Sequence, residues 1–201
     1  ETGTVETKPN VSGVALVSIR EVDPEDNTVA EGIIRLYINR KPTAGGTINN
    51  QKAMVAAGDG FTLALTAQGI LYSWGDNAYG ALGRSLAAGT DTENFAAVNF
   101  GVAPSPIIAA VAAGQQHALA LDTDGNVWTW GYNGHGQLGN DASGGYTAIP
   151  QKLNVNDPSG NPYVFENKIV AIAAGDDHSL ALDENGQVWA WGENTFGQVG
   201  V

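Results

Sequence analysis

The chain has 201 residues, of which 43% are hydrophobic and 15% charged, proportions typical of a globular protein. Its 21 acidic and 9 basic residues give a formal net charge of −12, which argues against binding to nucleic acid or to an anionic membrane surface. There is no cysteine, so disulfides and thiolate chemistry are excluded, and no apolar run approaches the roughly 18 residues of a membrane span.

The N-terminal quarter of the chain carries no repeated motif. Residues 1–3 resemble a scar left by a secretion vector and are set aside. Within residues 4–50, the segments 13–22 and 28–40 are predicted to be two strands around a turn at residues 23–27, which contains Asp, Pro and Asn. We expect this β extension to pack on the structural unit that follows it.

Residues 51–201 contain three copies of one sequence unit. The glycines Gly58, Gly114 and Gly175 are spaced 56 and 61 residues apart. The same two intervals separate the Trp-Gly pairs and the closing glycines, which are Trp74, Trp130 and Trp191, and Gly83, Gly139 and Gly200. A unit of this length cannot bury its own apolar face, so neighbouring copies are expected to stack.

Each unit has a β pattern, which is clearest in the third copy. Residues 169–174 are apolar and small, and they are predicted to form a strand covered on both faces. Residues 178–182 form the next strand, and residues 183–186 a hairpin turn in which glycine supplies positive φ. The alternation at 188–191 places two Trp side chains on one face, so the aromatics should form a ladder between successive units.

The segments between units vary in length and composition. Residues 146–155 are predicted to be an outer strand, in which Pro150 is tolerated because it lies on an edge. Residues 156–167, with two prolines and a glycine, are predicted to be a loop that accounts for the longer second interval. Residues 101–106 are the corresponding link between the first two units.

Each copy follows one pattern, which in order is Ala-Gly-x-x-His-Ser-Leu-Ala-Leu, a turn glycine, Val-Trp-x-Trp-Gly-x-Asn and Gly-Gln-x-Gly. This pattern resembles the regulator of chromosome condensation repeat. Residues 169–201 match that repeat best, 107–140 nearly as well, and 54–84 somewhat less. The resemblance implies that each unit is one β-propeller blade of four antiparallel strands. We therefore predict an all-β fold, a partial β-propeller of three such blades, with residues 4–50 as an N-terminal β-hairpin extension or a degenerate blade.

Three blades are fewer than the seven that the resemblance implies for a ring. Propellers close with roughly four to eight blades, and a three-blade arc leaves two open sheet edges. Two explanations stay open: the chain is a fragment of a longer propeller, or copies associate as a homo-oligomer that completes a ring.

Two sets of polar residues are candidate sites that we interpret as structural. His117 and His178 share one repeat position, which Phe61 fills in the first copy, so we expect a framework imidazole bonded to backbone and not a metal ligand. Residues 122–126 resemble the start of a calcium loop, but Gly131 stands where the bidentate acid is required. A hairpin turn is the favoured interpretation.

The three copies differ most in the loops after the Trp-Gly pairs. Tyr79, His135 and Phe196 fall at one equivalent place there, so a propeller would arrange them along one rim. Aromatic side chains on rigid loops are good interface anchors, which makes these three residues the candidate binding site. The alternative is that a ring at this position packs against the next blade.

Function follows less directly from these residues than fold does. Relatives with this repeat include a guanine nucleotide exchange factor, β-lactamase inhibitors, and modules of ubiquitin ligases or surface proteins, so the fold does not determine the activity. Neither Gly-x-x-x-x-Gly-Lys-Ser/Thr nor Gly-x-Ser-x-Gly occurs, and we expect no catalysis, cofactor or metal.

The leading hypothesis is a protein-binding or structural module of an exported or cell-surface protein, whose partner is another protein. The alternatives are a regulator, either exchange factor or inhibitor, of a nucleotide-binding or hydrolytic enzyme, and an architectural spacer. A cytoplasmic location is the alternative to export.

Overall fold

A computed structural model describes most of the chain, and all regular secondary structure in the described residues is β. The described residues are 13–22, 29–38, 54–90, 92–140, 144–153, 155–156, 162–163, 165 and 167–200. In chain order the strands are β1 (Gly13–Val22), β2 (Val29–Ile38), β3 (Met54–Ala57), β4 (Phe61–Leu65), β5 (Leu71–Gly75), β6 (Thr92–Ala97), β7 (Ile108–Ala113), β8 (His117–Asp122), β9 (Val127–Tyr132), β10 (Tyr146–Lys152), β11 (Val155–Asn156), β12 (Pro162–Tyr163), β13 (Ile169–Ala174), β14 (His178–Asp183) and β15 (Val188–Gly192).

The chain divides into two compact units, residues 1–48 and 49–201. In the first unit, β1 and β2 pair antiparallel, with Gly13 opposite Ile38 and Val22 opposite Val29. These are the two strands that the sequence predicts. The vector-scar assignment of residues 1–3, the turn at 23–27 and the packing of the hairpin on the first blade lie outside the described residues and stay predictions.

The second unit contains three antiparallel sheets in which strand order follows chain order, and we call them blades 1, 2 and 3. Blade 1 is β3-β4-β5-β6, blade 2 is β7-β8-β9-β10, and blade 3 is β13-β14-β15 in the described residues. Between blades 2 and 3, β11 pairs with β12 in the segment predicted to be a loop. The arrangement confirms the predicted partial propeller of three blades.

Apolar side chains fill the two junctions between neighbouring blades. From blade 1 to blade 2 the buried core consists mainly of Leu63, Leu65, Leu71, Leu82, Ile108, Val111, Ala118, Ala120, Trp128 and Trp130. From blade 2 to blade 3 it consists of Leu119, Leu121, Val127, Leu153, Ile169 and Ala181. Blade 2 therefore presents one apolar face to blade 1 and another to blade 3, which is how a sheet of alternating residues is buried on both sides.

The predicted Trp ladder is present at both junctions. Trp130 Nε1 donates to the Ala81 carbonyl of blade 1 at 2.7 Å, and Trp191 Nε1 donates to the equivalent Gln137 carbonyl of blade 2 at 2.9 Å. A Cβ on the closing glycine Gly83 would lie 2.9 Å from Trp130 Nε1, and one on Gly139 would lie 2.9 Å from Trp191. The indole thus occupies the space that a side chain at the closing position would need.

Backbone hydrogen bonds join the blades at both ends of each junction. Asp59 N donates to the Gln115 carbonyl at 2.8 Å, and Gln115 N donates to the Asp176 carbonyl at 2.9 Å. At the other end, Ile108 N donates to the Gly69 carbonyl at 3.0 Å. The sequence repeat is therefore also a repeat of inter-blade contacts.

The structure corrects one strand prediction and, besides β11 and β12, adds the strand β6. The expectation that β13 is covered on both faces is wrong, since Val170, Ala171 and Ala173 are exposed. β13 pairs only with β14 and forms the inner edge of its sheet, so its small apolar residues reflect the convergence of inner strands. β6 was not predicted, because nearly all of its side chains are exposed and lack alternation. The outer strand β10, with Pro150 on the sheet edge, is confirmed.

Candidate binding surface

Three loops of the same geometry follow β5, β9 and β15 at the same end of the blades. In each loop an asparagine Oδ1 accepts a hydrogen bond from the backbone N–H five residues later. The three pairs are Asn77 with Leu82 at 3.1 Å, Asn133 with Leu138 at 2.9 Å, and Asn194 with Val199 at 3.1 Å. The side chain at the centre of each loop is therefore presented by a backbone that its own hydrogen bonds hold in place.

The structure brings Tyr79 and His135 into one cluster of rings. The half-buried Tyr79 lies against Tyr132 of the next blade, with ring centroids 4.7 Å apart and planes tilted by 53°. The exposed His135 meets the same Tyr132 edge-on at 6.3 Å. The sequence analysis did not single out Tyr132. The signal was present, because this aromatic residue directly follows Trp130-Gly131, whereas the other two copies have Asp76 and Glu193 at the same position.

Phe196 lies apart from this cluster and is 89% exposed. Its backbone N donates to Gln198 Oε1 at 2.8 Å, just as His135 N donates to Gln137 Oε1 at 2.9 Å. The ring makes no contact with another ring in the part of the chain that the structure describes. Tyr79 therefore packs against the next blade, as the alternative interpretation expects. Phe196, by contrast, is an exposed apolar ring.

Several carboxylates lie on the loops at the same end of the blades as these rings. Asp76 N, Tyr132 N and Glu193 N donate to the carbonyls of Gly60, Gln116 and Asp177, which places the β3–β4, β7–β8 and β13–β14 loops beside the ring-bearing loops. The acidic residues at this end are Asp59, Asp76, Asp176, Asp177 and Glu193. We call the four rings of Tyr79, Tyr132, His135 and Phe196, together with these carboxylates, the rim surface.

His117 belongs to the framework and not to this surface. It is fully buried, and its Nε2 lies 2.9 Å from Ser179 Oγ of blade 3, whose hydroxyl donates to the Gln137 carbonyl at 2.9 Å. Since a serine hydroxyl has one proton to donate, Ser179 accepts from the Nε2–H of the imidazole. The predicted structural role is confirmed, and besides the backbone of Asp176 the imidazole reaches a hydroxyl of the next blade.

The protonation state of His117 follows from its surroundings. Burial lowers the pKa of His117 to about 4, the nearby His178 acts in the same direction, and the backbone of Asp176 acts weakly against them. The imidazole is therefore neutral near pH 7 and suited to a single hydrogen bond with Ser179.

Asp122 organises a hairpin turn. Its Oδ1 accepts hydrogen bonds from Asp124 N and Asn126 N, and its Oδ2 accepts from Trp128 Nε1 at 2.9 Å. Both carboxylate oxygens thus accept hydrogen bonds within the protein, and the predicted hairpin turn is confirmed.

No group of three or more His, Cys, Asp or Glu side chains suited to a metal ion occurs among the described residues. Within those same residues, no helix is long and apolar enough to cross a membrane.

Comparison with known proteins agrees with these blades. A family model described as "Regulator of chromosome condensation (RCC1) repeat" matches residues 55–81, 108–137 and 169–198, and a second model of the same description matches 124–182. The human E3 ubiquitin-protein ligase HERC2 is 35% identical over 156 residues, which are 76% of this chain and 3% of that protein. The mitochondrial RCC1 domain-containing protein RUG3 of Arabidopsis thaliana is 32% identical over 187 residues, which are 85% of this chain and 38% of that protein.

Solved structures show the same fold. Prp20p of Saccharomyces cerevisiae, in a crystal structure described with its binding properties to Gsp1p and histones, superposes with a TM-score of 0.58 at 25% identity, over 73% of this chain and 33% of that one. The chain thus spans well under half of each of these proteins. The three matched repeats and the stacked blades show that the chain belongs to the regulator of chromosome condensation (RCC1) repeat family.

Proposed function

We propose that the chain is a non-catalytic protein-binding β-propeller module, carried by an exported or cell-surface protein, and that its partner contacts the rim surface. The observation that carries this proposal is Phe196, an 89% exposed aromatic ring on a loop held by its own hydrogen bonds. An apolar ring on a rigid support loses little conformational entropy on binding, which is why such residues dominate interface energetics.

The charge of the rim surface indicates the chemistry of the partner. The rim surface includes five carboxylates, and the chain as a whole carries a formal charge of −12. A protein that offers Lys or Arg side chains would be attracted to the carboxylates and would bind over the aromatic faces. The same charge repels a phosphate backbone, which favours a protein over a nucleic acid.

Histones are a suitable basic probe, since the related Prp20p is described with its binding properties to histones. We expect the chain to bind histones in biolayer interferometry, and Phe196→Ala to weaken binding by roughly tenfold or more, as for an interface hot spot. Phe95→Ala is the matched control, because Phe95 is also exposed but lies on the outer strand β6. No binding to histones would contradict the basic-partner class, and equal effects of the two substitutions would contradict the role of the rim surface.

Regulation of a nucleotide-binding enzyme is the second candidate, favoured by the likeness to Prp20p, which is described as binding Gsp1p. If the chain is an exchange factor, it should accelerate the release of a fluorescent guanine nucleotide from Gsp1p, and Tyr79→Ala or Phe196→Ala should reduce the effect. An unchanged release rate at saturating chain would reject exchange activity. If the chain leaves the rate of hydrolysis by a β-lactamase unchanged, inhibition of that enzyme is rejected in the same way.

The proposed location at the cell surface can be tested directly. An antibody against residues 51–201 should label intact cells that express the protein. Labelling only after permeabilisation would contradict the proposal and favour the cytoplasm.

A further inference from the structure

Three tyrosines from two blades meet at the junction between blades 1 and 2. Tyr79 lies on the loop after β5, and its ring centroid is 4.7 Å from that of Tyr132, the last residue of β9. Tyr146, the first residue of β10, stands directly opposite Tyr132 in the antiparallel pair. Opposite residues in such a pair project from the same side of the sheet. We call these three side chains the tyrosine cluster.

The backbones of both blades hold the cluster in place. A Cβ on Gly80 would lie 2.6 Å from Ala148 Cα, so the loop that carries Tyr79 lies directly against β10, two residues from Tyr146. Ser85 N donates to the Ala148 carbonyl at 3.2 Å, which ties the same two segments together a second time. The relative positions of the tyrosines are therefore set by a junction that lies within the chain.

The packing of blades does not require this cluster. At the junction between blades 2 and 3, His135 stands in place of Tyr79 and Glu193 in place of Tyr132. The Trp indole nevertheless donates to a carbonyl of the preceding blade at both junctions, and the backbone hydrogen bonds between inner loops are also the same. Surface residues that differ between copies while the framework stays constant are candidates for binding.

The cluster offers open ring surface and hydroxyl oxygens that can accept hydrogen bonds. Tyr146 is 51% exposed, and Tyr79 and Tyr132 are half-buried. Within the described residues, the hydroxyls of all three make no hydrogen bond, and the ring of Tyr146 contacts no other ring. A ligand can therefore reach both the rings and their hydroxyls.

Two acidic residues accompany the cluster. Asp76 lies three residues before Tyr79, and its Oδ1 accepts from Ala78 N at 2.7 Å, whereas its Oδ2 has no hydrogen-bond partner in the part of the chain that the structure describes. Asp59 N and Tyr132 N donate to the carbonyls of adjacent residues in the β7–β8 loop, at 2.8 and 2.9 Å. The rings and the carboxylates thus belong to neighbouring loops, an arrangement that attracts a cation.

We infer that the tyrosine cluster and Asp76 bind an arginine side chain of the partner, an inference that rests on the proposed function in requiring a basic partner. A guanidinium is planar and stacks on aromatic faces, and its five N–H groups can donate to the tyrosine hydroxyls and to the free Asp76 Oδ2. The ammonium of lysine is a compact point charge with three donors and no flat face, so it matches this set of groups less well.

Fluorescence polarisation with short peptides tests the choice of arginine. The probe is a fluorescein-labelled Gly-Ser peptide that carries several arginines, compared with the same peptide carrying lysine or citrulline, the neutral isostere of arginine. We expect the arginine peptide to bind roughly threefold more tightly than the lysine peptide and more than tenfold more tightly than the citrulline peptide. Equal affinities for arginine and lysine would overturn the inference, because net charge alone would then explain binding. Equal affinities for arginine and citrulline would overturn it as well, because binding would then need no cation.

Tyr146 provides the sharpest variant, since its ring is exposed and its replacement leaves the fold intact. Tyr146→Leu should weaken binding of the arginine peptide by roughly tenfold, and Tyr146→Phe should retain most of the affinity. Phenylalanines with increasing numbers of ring fluorines at position 146 should lower the affinity stepwise, because fluorine withdraws negative charge from the ring face. Phe95→Leu is the matched control, an equally exposed ring on β6 that should bind like the wild type. An affinity that does not change with fluorination would contradict stacking of a cation on this ring.

The same variants separate this inference from the proposed function. If Phe196→Ala abolishes binding to histones while Tyr146→Leu and Tyr79→Leu leave it unchanged, the proposed function stands and the arginine site is wrong. If the arginine peptide binds in a Tyr146-dependent way while histones do not bind, the arginine site stands and the proposed partner class is wrong. Absence of binding by the arginine peptide at any concentration tested would overturn the site.

Discussion

Phe61, His117 and His178 stand at one position of the repeat, and what each residue requires depends on the blade that follows it. Phe61 needs only an apolar neighbour and shares a core with Ala118. His117 is fully buried with a polar ring, so it needs a partner, which Ser179 supplies at 2.9 Å. Two residues 62 positions apart in the chain therefore act as one pair.

We predict that His117→Phe and Ser179→Ala each destabilise the protein and that the double variant recovers part of the loss. Phenylalanine places an additional carbon against the Ser179 hydroxyl, and alanine leaves His117 Nε2 without its partner, each at a cost of about 1–3 kcal/mol. Together they reproduce the Phe61–Ala118 pair. Urea unfolding of the four proteins measures the coupling, and strictly additive effects would contradict it.

Acid should destabilise the fold through His117. Its pKa is about 4 in the folded protein against an ordinary value of 6.5, so between these values the unfolded chain binds a proton that the folded chain does not. The contribution of His117 to stability is thus fully present above pH 6.5 and is lost as the pH falls towards 4, by about 3 kcal/mol in total. The unfolding free energy of His117→Phe should depend less on pH in this window. An unchanged pH profile would contradict the assignment.

Asp183 adds to acid sensitivity at lower pH. Burial alone would raise the pKa of Asp183, but hydrogen bonds from Gln187 N, Asn167 Nδ2, Asn185 N and the Trp189 side chain outweigh burial and lower it. The stabilisation is present above the ordinary pKa of the carboxyl and is lost as the pH falls through the lower value of the folded state. Asp183 therefore contributes to acid destabilisation at a lower pH than His117 does.

At the scale of the element, the closing turn of one blade and the Trp of the next form a single contact. Gly139 has φ of +67°, and a Cβ there would lie 2.9 Å from Trp191; Gly200 has φ of +82° with nothing within 4 Å. Both glycines thus adopt a positive φ, but only Gly139 has a side chain of the next blade, Trp191, close against it.

We therefore predict that Gly139→Ala destabilises more than Gly200→Ala. Both substitutions strain a positive φ, at about 1 kcal/mol, but only the first also displaces the half-buried Trp191 indole and its hydrogen bond to the Gln137 carbonyl. Thermal unfolding at low protein concentration compares them, and the difference should be about 1–3 kcal/mol. Equal losses would mean that the contact between turn and Trp adds nothing.

For the whole molecule, burial is greatest in the middle of the arc. All six residues of β8 are buried, whereas the equivalent β14 alternates between buried and half-buried residues. In a repeat protein each unit is stabilised by its neighbours, so a blade with one open face is held less firmly than a blade between two others.

Hydrogen exchange should follow this gradient. We expect amides of β8 and β9 to exchange more slowly than those of β14 and β15 in dilute protein, because local opening of blade 3 disrupts one junction and opening of blade 2 disrupts two. Uniform protection across the blades would contradict the gradient.

The sequence by itself determined the three units, most of their strands, the hairpin turns and the Trp ladder, because the residues responsible are local and recur in register. β6 was missed since its exposed side chains leave no pattern. The tertiary structure alone decided the partner of His117, the cluster that Tyr132 forms with Tyr79 and His135, and the openness of β13. It also decided that Val127 is buried while Val188 is exposed, although both occupy the same position of the repeat. The physical reason is that burial and pairing depend on which blade lies alongside, and that neighbour is distant in the chain.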